Sequence, residues 1–451
     1  MKQLLKPSPR LLWWLASLTG IALLLGVLQA LGRGPVAKLD GLFWVLFWGM
    51  GGLAALDALW LWRLPSPRVQ RHLPGSLALG RWSDVSIEIA HDSPRALPLT
   101  MLDHGPVGPG NRFEGQHLSQ DVVLRAQRSA RLSYRLRPTS RGLFTFERIE
   151  IQLRSPLRLW LSRRYLPASS SARVYPDFTR LHGGQLQGVD NWLSQIGVRQ
   201  RQRRGLGLEF NQLREFREGD SLRQIDWKAT ARQRTPIARE YQDERDQQIV
   251  FLLDCGRRMR SQDGELSHFD HALNACLLLG YVALRQGDAV GVSTFAAEQN
   301  RHLPPVKGAS QLNLLLNHVY DLDSTRHPAD YGAAIRQLLA RQKRRALVVL
   351  VTNLRDEDDD QLLAAVKHLS RHHRVLIASL REEVLDEQRL APVQSWQQAL
   401  DYCGTVDFLN ARAGLHERLR AHGIAVLDVR PGELGPQLVN RYLTWKKAGT
   451  L

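Results

Sequence analysis

The chain has 451 residues, enough to bury a sizeable core and to hold about two or three domains, and its apolar fraction of 43% excludes wholesale disorder. Its three cysteines, Cys255, Cys276 and Cys403, have no C-x-x-C spacing. That argues against a disulfide- or zinc-stapled domain, fits a reducing compartment, and reads each cysteine as a small buried apolar side chain. Net charge is +17, but residues 1–250 hold 36 basic and 21 acidic side chains while 251–451 hold 25 and 23. A basic front beside a membrane segment reads as attraction to anionic lipid head groups, with nucleic-acid binding as the competing reading.

Residues 11–31 carry no charge and, at about 1.5 Å rise per residue, can span a roughly 30 Å hydrocarbon layer. Residues 42–62 form a second such run, interrupted only by Asp57, and the link 32–41 is short and turn-like. The pair reads as a membrane hairpin with Trp13, Trp14, Trp60 and Trp62 in its aromatic belts. A cleavable signal peptide ending near Ala30-Leu31-Gly32 is the rival, disfavoured by the length of the first run and the closeness of the second. Lys2, Lys6 and Arg10 precede the hairpin, and Arg63, Arg68, Arg71 and Arg81 follow it, against only Arg33 and Lys38 in the link. The positive-inside rule therefore sets both termini in the cytoplasm, at a bacterial inner membrane if the source is bacterial. Asp57 reads as a carboxylate reaching toward the interface.

Residues 77–165 alternate apolar and polar at 85–89, 132–137, 144–146 and 149–153, with breakers such as Ser93-Pro94 and Gly105-Pro106 between them. This predicts an antiparallel, sandwich-like β domain whose many arginines line a solvated face. Residues 167–204 read as a linker, and the basic run 199–204 has no interleaved aromatic, which favours solvent or lipid over nucleic acid. Residues 213–246 form the densest polar constellation, with alternating charges around Trp227 that suggest a salt-bridged surface with an aromatic anchor. Asp220 and Asp226 could pair as catalytic carboxylates, but no nucleophile–base pair or metal-ligand spacing accompanies them.

From 248 onward the pattern alternates strand and helix. Strands are expected at 248–253, 288–295, 346–351, 374–380 and 424–429. Helices are expected at 268–286, 309–321, 331–343, 359–371, 406–421 and 433–446. That order predicts an α/β doubly wound, mostly parallel sheet with helices on both faces, with Asp254 and Asn353 at the carboxyl ends where such sheets bind ligands. The expected division is 1–65 (two-helix transmembrane hairpin), 74–166 (β-rich domain), 167–246 (linker and signature stretch) and 247–447 (α/β domain). His368, His372 and His373 read as surface residues at a polar helix end.

Arg214, Glu215, Gly219, Asp220, Arg223, Asp226, Trp227, Lys228 and Arg232, in the run REF..GD..R.IDWKATAR, resemble the signature of the bacterial "domain of unknown function 58" family. Tyr175-Pro176 and the Arg141-Gly142 turn are similar to its lead-in. The resemblance covers most of the chain. It implies a membrane hairpin, a β segment and a von Willebrand factor type A-like domain, and a MoxR-type AAA+ ATPase as partner; it implies no cofactor. The metal-ion-dependent adhesion site of that fold, Asp-x-Ser-x-Ser with a distant Thr and Asp, is degenerate here. Asp254 remains, Gly256 lacks a hydroxyl, and Arg258 puts a cation where a ligand would sit. Ala329 stands in place of the threonine and Asn353 in place of the second carboxylate, with Asp356 near. An Arg258–Asp254 pair substituting for the metal is one expectation. The leading functional expectation is a membrane-anchored cytoplasmic adaptor in contact with membrane lipids. Its alternatives are a carboxylate-based hydrolase using Asp220, Asp226 and Asp254, and a nucleic-acid binder working through the basic front.

Overall fold

Residues 3–31, 36–106, 112–126, 128–177, 204–217, 220–242, 247–308, 310–355, 357 and 359–451 are described in the structure, a computed structural model. The basic run 199–203, Gly219 and Asp356 lie outside the described residues, as does the side chain of Arg223. The chain separates into two units, Met1–Tyr175 and Pro176–Leu451.

The first unit opens with β1 (Gln3–Pro7) and α1 (Pro9–Ala30). Ser8 starts α1 because its hydroxyl accepts the Leu11 N–H at 3.3 Å and a proline, which has no N–H to lose, fills the first turn. Then comes α2 (Val36–Arg63). Both helices are long and apolar enough to cross a membrane, and little of either is buried in the fold.

The strands of this unit form two sheets. They are β2 (Arg68–His72), β3 (Ser76–Ala78), β4 (Ser83–Ala90), β5 (Leu97–Asp103), β6 (Phe113–Gln116), β7 (Ser119–Leu124), β8 (Ser129–Pro138), β9 (Gly142–Arg154) and β10 (Trp160–Tyr175). One sheet runs β1-β10-β9-β5-β7 with β3 parallel to β10; the other runs β2-β4-β8-β6. Period-two alternation buries Val85, Ile87 and Ile89 on β4 and Leu97, Leu99 and Met101 on β5. The alternating segments 144–146 and 149–153 belong to one strand, β9.

Two arginines of this unit are buried, Arg164 among them from the stretch expected to line a solvated face. Arg71 is 1% exposed and forks onto Asp103 across the sheets (2.6 and 2.9 Å), and the Tyr134 hydroxyl reaches the same carboxylate at 2.5 Å. Desolvating this pair is offset because Arg71 also donates to the Ala168 carbonyl and the Ser170 hydroxyl. Arg164, equally buried, donates to the carbonyls of Leu61 and Leu64 at 2.7 Å each, groups the end of α2 leaves without partners. Asp57, expected to reach toward the membrane interface, meets a turn of the β domain. It is 5% exposed and accepts the backbone N–H groups of Leu157 and Leu159 in the β9–β10 turn. β10 also continues through 167–175, where composition predicts a linker. A register shift between Pro167 and Ser170 accommodates the proline, which has no N–H to give the ladder.

The second unit begins with a ribbon of β11 (Arg204–Glu215) and β12 (Ile237–Gln242) enclosing α3 (Trp227–Gln233). The α/β part follows as β13 (Gln248–Asp254), the short hairpin β14 (Gln262–Asp263) and β15 (Leu266–Ser267), α4 (His268–Arg285), β16 (Ala289–Phe295), β17 (His302–Val306), α5 (Ser310–Val319) and α6 (Tyr331–Arg341). It continues with β18 (Leu347–Thr352), α7 (Asp359–Ser370), β19 (Arg374–Leu380), α8 (Glu383–Leu390), α9 (Trp396–Ala421), β20 (Ala425–Val429) and α10 (Leu434–Lys447). The sheet order β17-β16-β13-β18-β19-β20 is 3-2-1-4-5-6 in chain sequence, parallel except for β17. One face packs on α4, α5 and α10, the other on α6, α7 and α9. β17 and α8 escape the sequence pattern: β17 is an edge strand carrying two prolines, and α8 has one buried residue, Asp386, so neither shows an apolar stripe. His368 and His372 are exposed, but His373 is buried and its pKa lies below the usual histidine value because burial disfavours its charge. Cys255 and Cys276 are buried as expected; Cys403, on the outer side of α9, is exposed.

Candidate functional site

Two sets of predicted residues are each brought together by the fold. The first is the signature stretch. Arg214 forks onto Asp220 at 2.6 and 2.7 Å, and Asp220 also accepts the Arg217 N–H at 2.8 Å. These hydrogen bonds, Arg214's first, hold the Asp220 carboxyl down at about 2. Asp226 is the N-cap of α3: one oxygen accepts the N–H groups of Lys228 and Ala229 at 3.0 Å and the other takes the Arg239 Nε at 2.9 Å. Its pKa is lowered by the same backbone and side-chain donors. The motif spacing has a local reason. A cap must precede the helix it starts, and Arg239 lies on the strand that returns beside β11. Trp227, the first residue of the capped helix, stands 70% exposed, and Lys228 and Arg232 are exposed beside it on the same short helix. Glu215 closes the ribbon opposite Ile237. Asp220 and Asp226 are thus separate structural anchors, one for a turn and one for a helix.

The second set sits at the carboxyl ends of the parallel strands. Between β13 and β18 the chain order reverses, the place where sheets of this kind bind ligands. Asp254, wholly buried at the end of β13, accepts the Gly256 N–H at 2.7 Å and the Thr352 hydroxyl at 2.6 Å. Thr352 in turn meets the Tyr331 hydroxyl at 3.1 Å. Gly256 is required by space: a Cβ there would lie 2.9 Å from the Asp254 carboxylate and 2.9 Å from the His327 carbonyl. A hydroxyl side chain at 256 therefore needs the loop to move. Arg258 reaches Glu357 at 3.0 Å. Asp330, beside Ala329, caps α6 through the Ala333 N–H.

Asn353 is drawn into a network that the sequence did not point to. Its amide nitrogen donates to Glu382 at 2.7 Å and its oxygen accepts from Arg412 at 3.2 Å. Arg412, 1% exposed on α9, spreads its guanidinium across the ends of three strands. It meets the Ser379 hydroxyl, the Leu380 and Leu354 carbonyls, and Asp428 at 2.7 Å. Five N–H donors in a fixed plane suit this fan of acceptors. The arginine was hidden in the sequence because α9 looks polar throughout, and only its last half packs on the sheet. Among the described residues no three His, Cys, Asp or Glu side chains cluster as metal ligands would.

Above the same strand ends, α8 and the first turns of α9 present apolar side chains to solvent. Leu390 is 74% exposed and Trp396 78%, with Val393 and Leu400 between and beyond them. Buried residues in α9 begin only at Thr405.

Residues 212–399 match the family model described as "Protein of unknown function DUF58". The chain thus carries a DUF58 family domain, which takes in the Asp220–Asp226 stretch and the Asp254 strand end. Arg412 lies beyond it. No curated protein matches the chain. Among solved structures, the CARDB domain of a Pyrococcus furiosus protein is 12% identical, with 25% of this chain and 94% of that one covered and a TM-score of 0.17. Salmonella alpha-2-macroglobulin is 16% identical over 25% of this chain and 7% of that one (TM-score 0.20), and the mussel byssus proximal thread matrix protein 1 is 9% identical over 44% and 46% (TM-score 0.27).

Proposed function

We propose that this protein is a membrane-anchored adaptor whose α/β domain, of the von Willebrand factor A type, faces the cytoplasm and docks a protein partner. The fold reading is supported by the 3-2-1-4-5-6 order with an antiparallel third strand, and the strands of the first unit are read as an antiparallel sandwich. The orientation rests on the arginines and lysines flanking the two apolar helices. The partner class, a MoxR-type AAA+ ATPase at a bacterial inner membrane, rests on the family resemblance of the signature.

One observation carries the docking reading. Leu390, Val393, Trp396 and Leu400 stand half to more than three-quarters exposed at the carboxyl edge of the sheet. Large side chains gathered in this way mark a surface that a partner covers. A carboxylate-based hydrolase is less well supported. A general acid or base works with a pKa near the operating pH, whereas Asp220 is held at about 2 and Asp226 below its usual value.

The test is co-purification of the full chain from solubilised membranes, wild type against a Leu390→Asp/Trp396→Asp double variant. The ATPase is expected with the wild type and reduced with the variant, at unchanged melting temperature. Failure to recover any ATPase or envelope-assembly protein with the wild type defeats the proposal.

A further inference from the structure

We infer that the first unit carries a specific site for the phosphate of an anionic phospholipid, between the end of α2 and the β4–β5 turn. A cavity of about 510 Å³ lies there, lined by Leu56, Leu59, Trp60, Arg63, Leu64 and the turn residues Ser93 to Arg95. Its lining is graded. Leu56 and Leu59, 65% and 41% exposed, lie on the apolar part of α2, and Arg63 ends the helix. Arg95 faces the cavity from the turn, which is set by the Arg95 N–H donating to the Ser93 hydroxyl.

Both guanidiniums are solvent-exposed, and among the described residues neither has an ion-pair or hydrogen-bond partner. Two guanidiniums lining one cavity beside the end of an apolar helix can both donate to the oxygens of a phosphodiester, while Leu56 and Leu59 offer a path for an acyl chain. A helix C-terminus ordinarily repels anions. Here Arg164 already covers the carbonyls of Leu61 and Leu64, which removes that objection. Trp60, amphipathic and half-buried at this level, suits the headgroup depth.

The inference rests on the reading of α2 as a membrane span. Its test uses the full chain reconstituted in nanodiscs of mixed phosphatidylcholine and phosphatidylglycerol, then released in mild detergent, with retained lipid counted by native mass spectrometry. Phosphatidylglycerol is expected to be retained in roughly 25-fold preference, since each of the two arginines near the surface contributes about fivefold. Arg63→Gln/Arg95→Gln should abolish the preference. Arg125→Gln/Arg128→Gln removes the same charge from exposed positions outside the cavity and should keep it. Equal retention of both lipids, or equal loss in both variants, overturns the site, as does displacement of the lipid by millimolar inorganic phosphate. A chain that stays out of the discs overturns anchor and site together; one that enters without lipid preference overturns the site alone.

Discussion

Replacing Arg412 by methionine tests whether the guanidinium holds the strand ends together. Methionine keeps the length and much of the apolar stem but removes every donor. The change leaves Asp428 with only the more distant Arg381, at 3.7 Å, and His416, and leaves the Leu354 and Leu380 carbonyls and the Ser379 hydroxyl short of a donor in a buried place. Breaking one side of a buried, hydrogen-bonded ion pair costs about 3–5 kcal/mol. For a unit of this size each kcal/mol lowers the melting temperature by roughly 2–4 °C, so a drop on the order of 6–20 °C is expected. Thermal melting of the detergent-solubilised full chain, followed by protease sensitivity within the α/β part, reads it. Arg412→Lys should fall between, because one ammonium cannot fan across the acceptors. A methionine variant that melts within about 2 °C of wild type would refute the reasoning, since it would mean that water replaces the guanidinium at little cost.

Three further outcomes follow from the same geometry. Burial holds His416 neutral down to about 4, against about 6.5 in an unfolded chain. Between those values the unfolded state binds the extra proton, so stability falls as pH drops from about 6.5 to about 4, by up to ~3 kcal/mol. His416→Gln should flatten that melting profile, and an unchanged slope refutes the assignment. Asp57→Ala removes the acceptor for Leu157 and Leu159, so their amides should exchange faster while Asp57→Asn retains part of the protection; equal exchange in all three chains contradicts the capping role. In α3, protection of the Lys228 and Ala229 amides should fall from wild type to Asp226→Asn to Asp226→Ala, because asparagine still caps but loses the Arg239 pair. An asparagine variant less protected than alanine counts against it.

The elements with a strong apolar period were legible in the sequence: the two long helices, the alternating β4, β8 and β9, and the buried runs of β13 and β18. In β4, β13 and β18 the burial pattern is the sequence pattern. What stayed hidden has a common cause. Arg71, Arg164 and Arg412 are buried cations whose main partners are carboxylates 16 or 32 residues away or backbone carbonyls, and a backbone carbonyl leaves no mark in the sequence. The candidate site was half legible. Asp254 and Asn353 were set at strand ends, but Thr352, one residue past the strand expected at 346–351, drew no reading, although its hydroxyl is what the Asp254 carboxylate meets. The signature motif was visible as a run of charges, while its division into a turn anchored by Asp220 and a helix capped by Asp226 needed the return of β12.

The anchor is more than a tether. Within the first unit the β9–β10 turn is held by both apolar helices. The Ser8 hydroxyl donates to the Arg158 carbonyl, Asp57 accepts from Leu157 and Leu159, and the Trp160 indole donates to the Ala54 carbonyl. Leu11, Ala54 and Leu159 close an apolar cluster around these bonds. Arg164, two residues beyond Ser162 on the same strand, fastens the end of α2. Each of these groups is buried or nearly so, and freeing one without solvent costs about 1–3 kcal/mol. Tilting the helices against the sheet would break several at once. The helices and the β9–β10 turn therefore move as one body, and any tilt of the helices is carried directly into the strands that follow them.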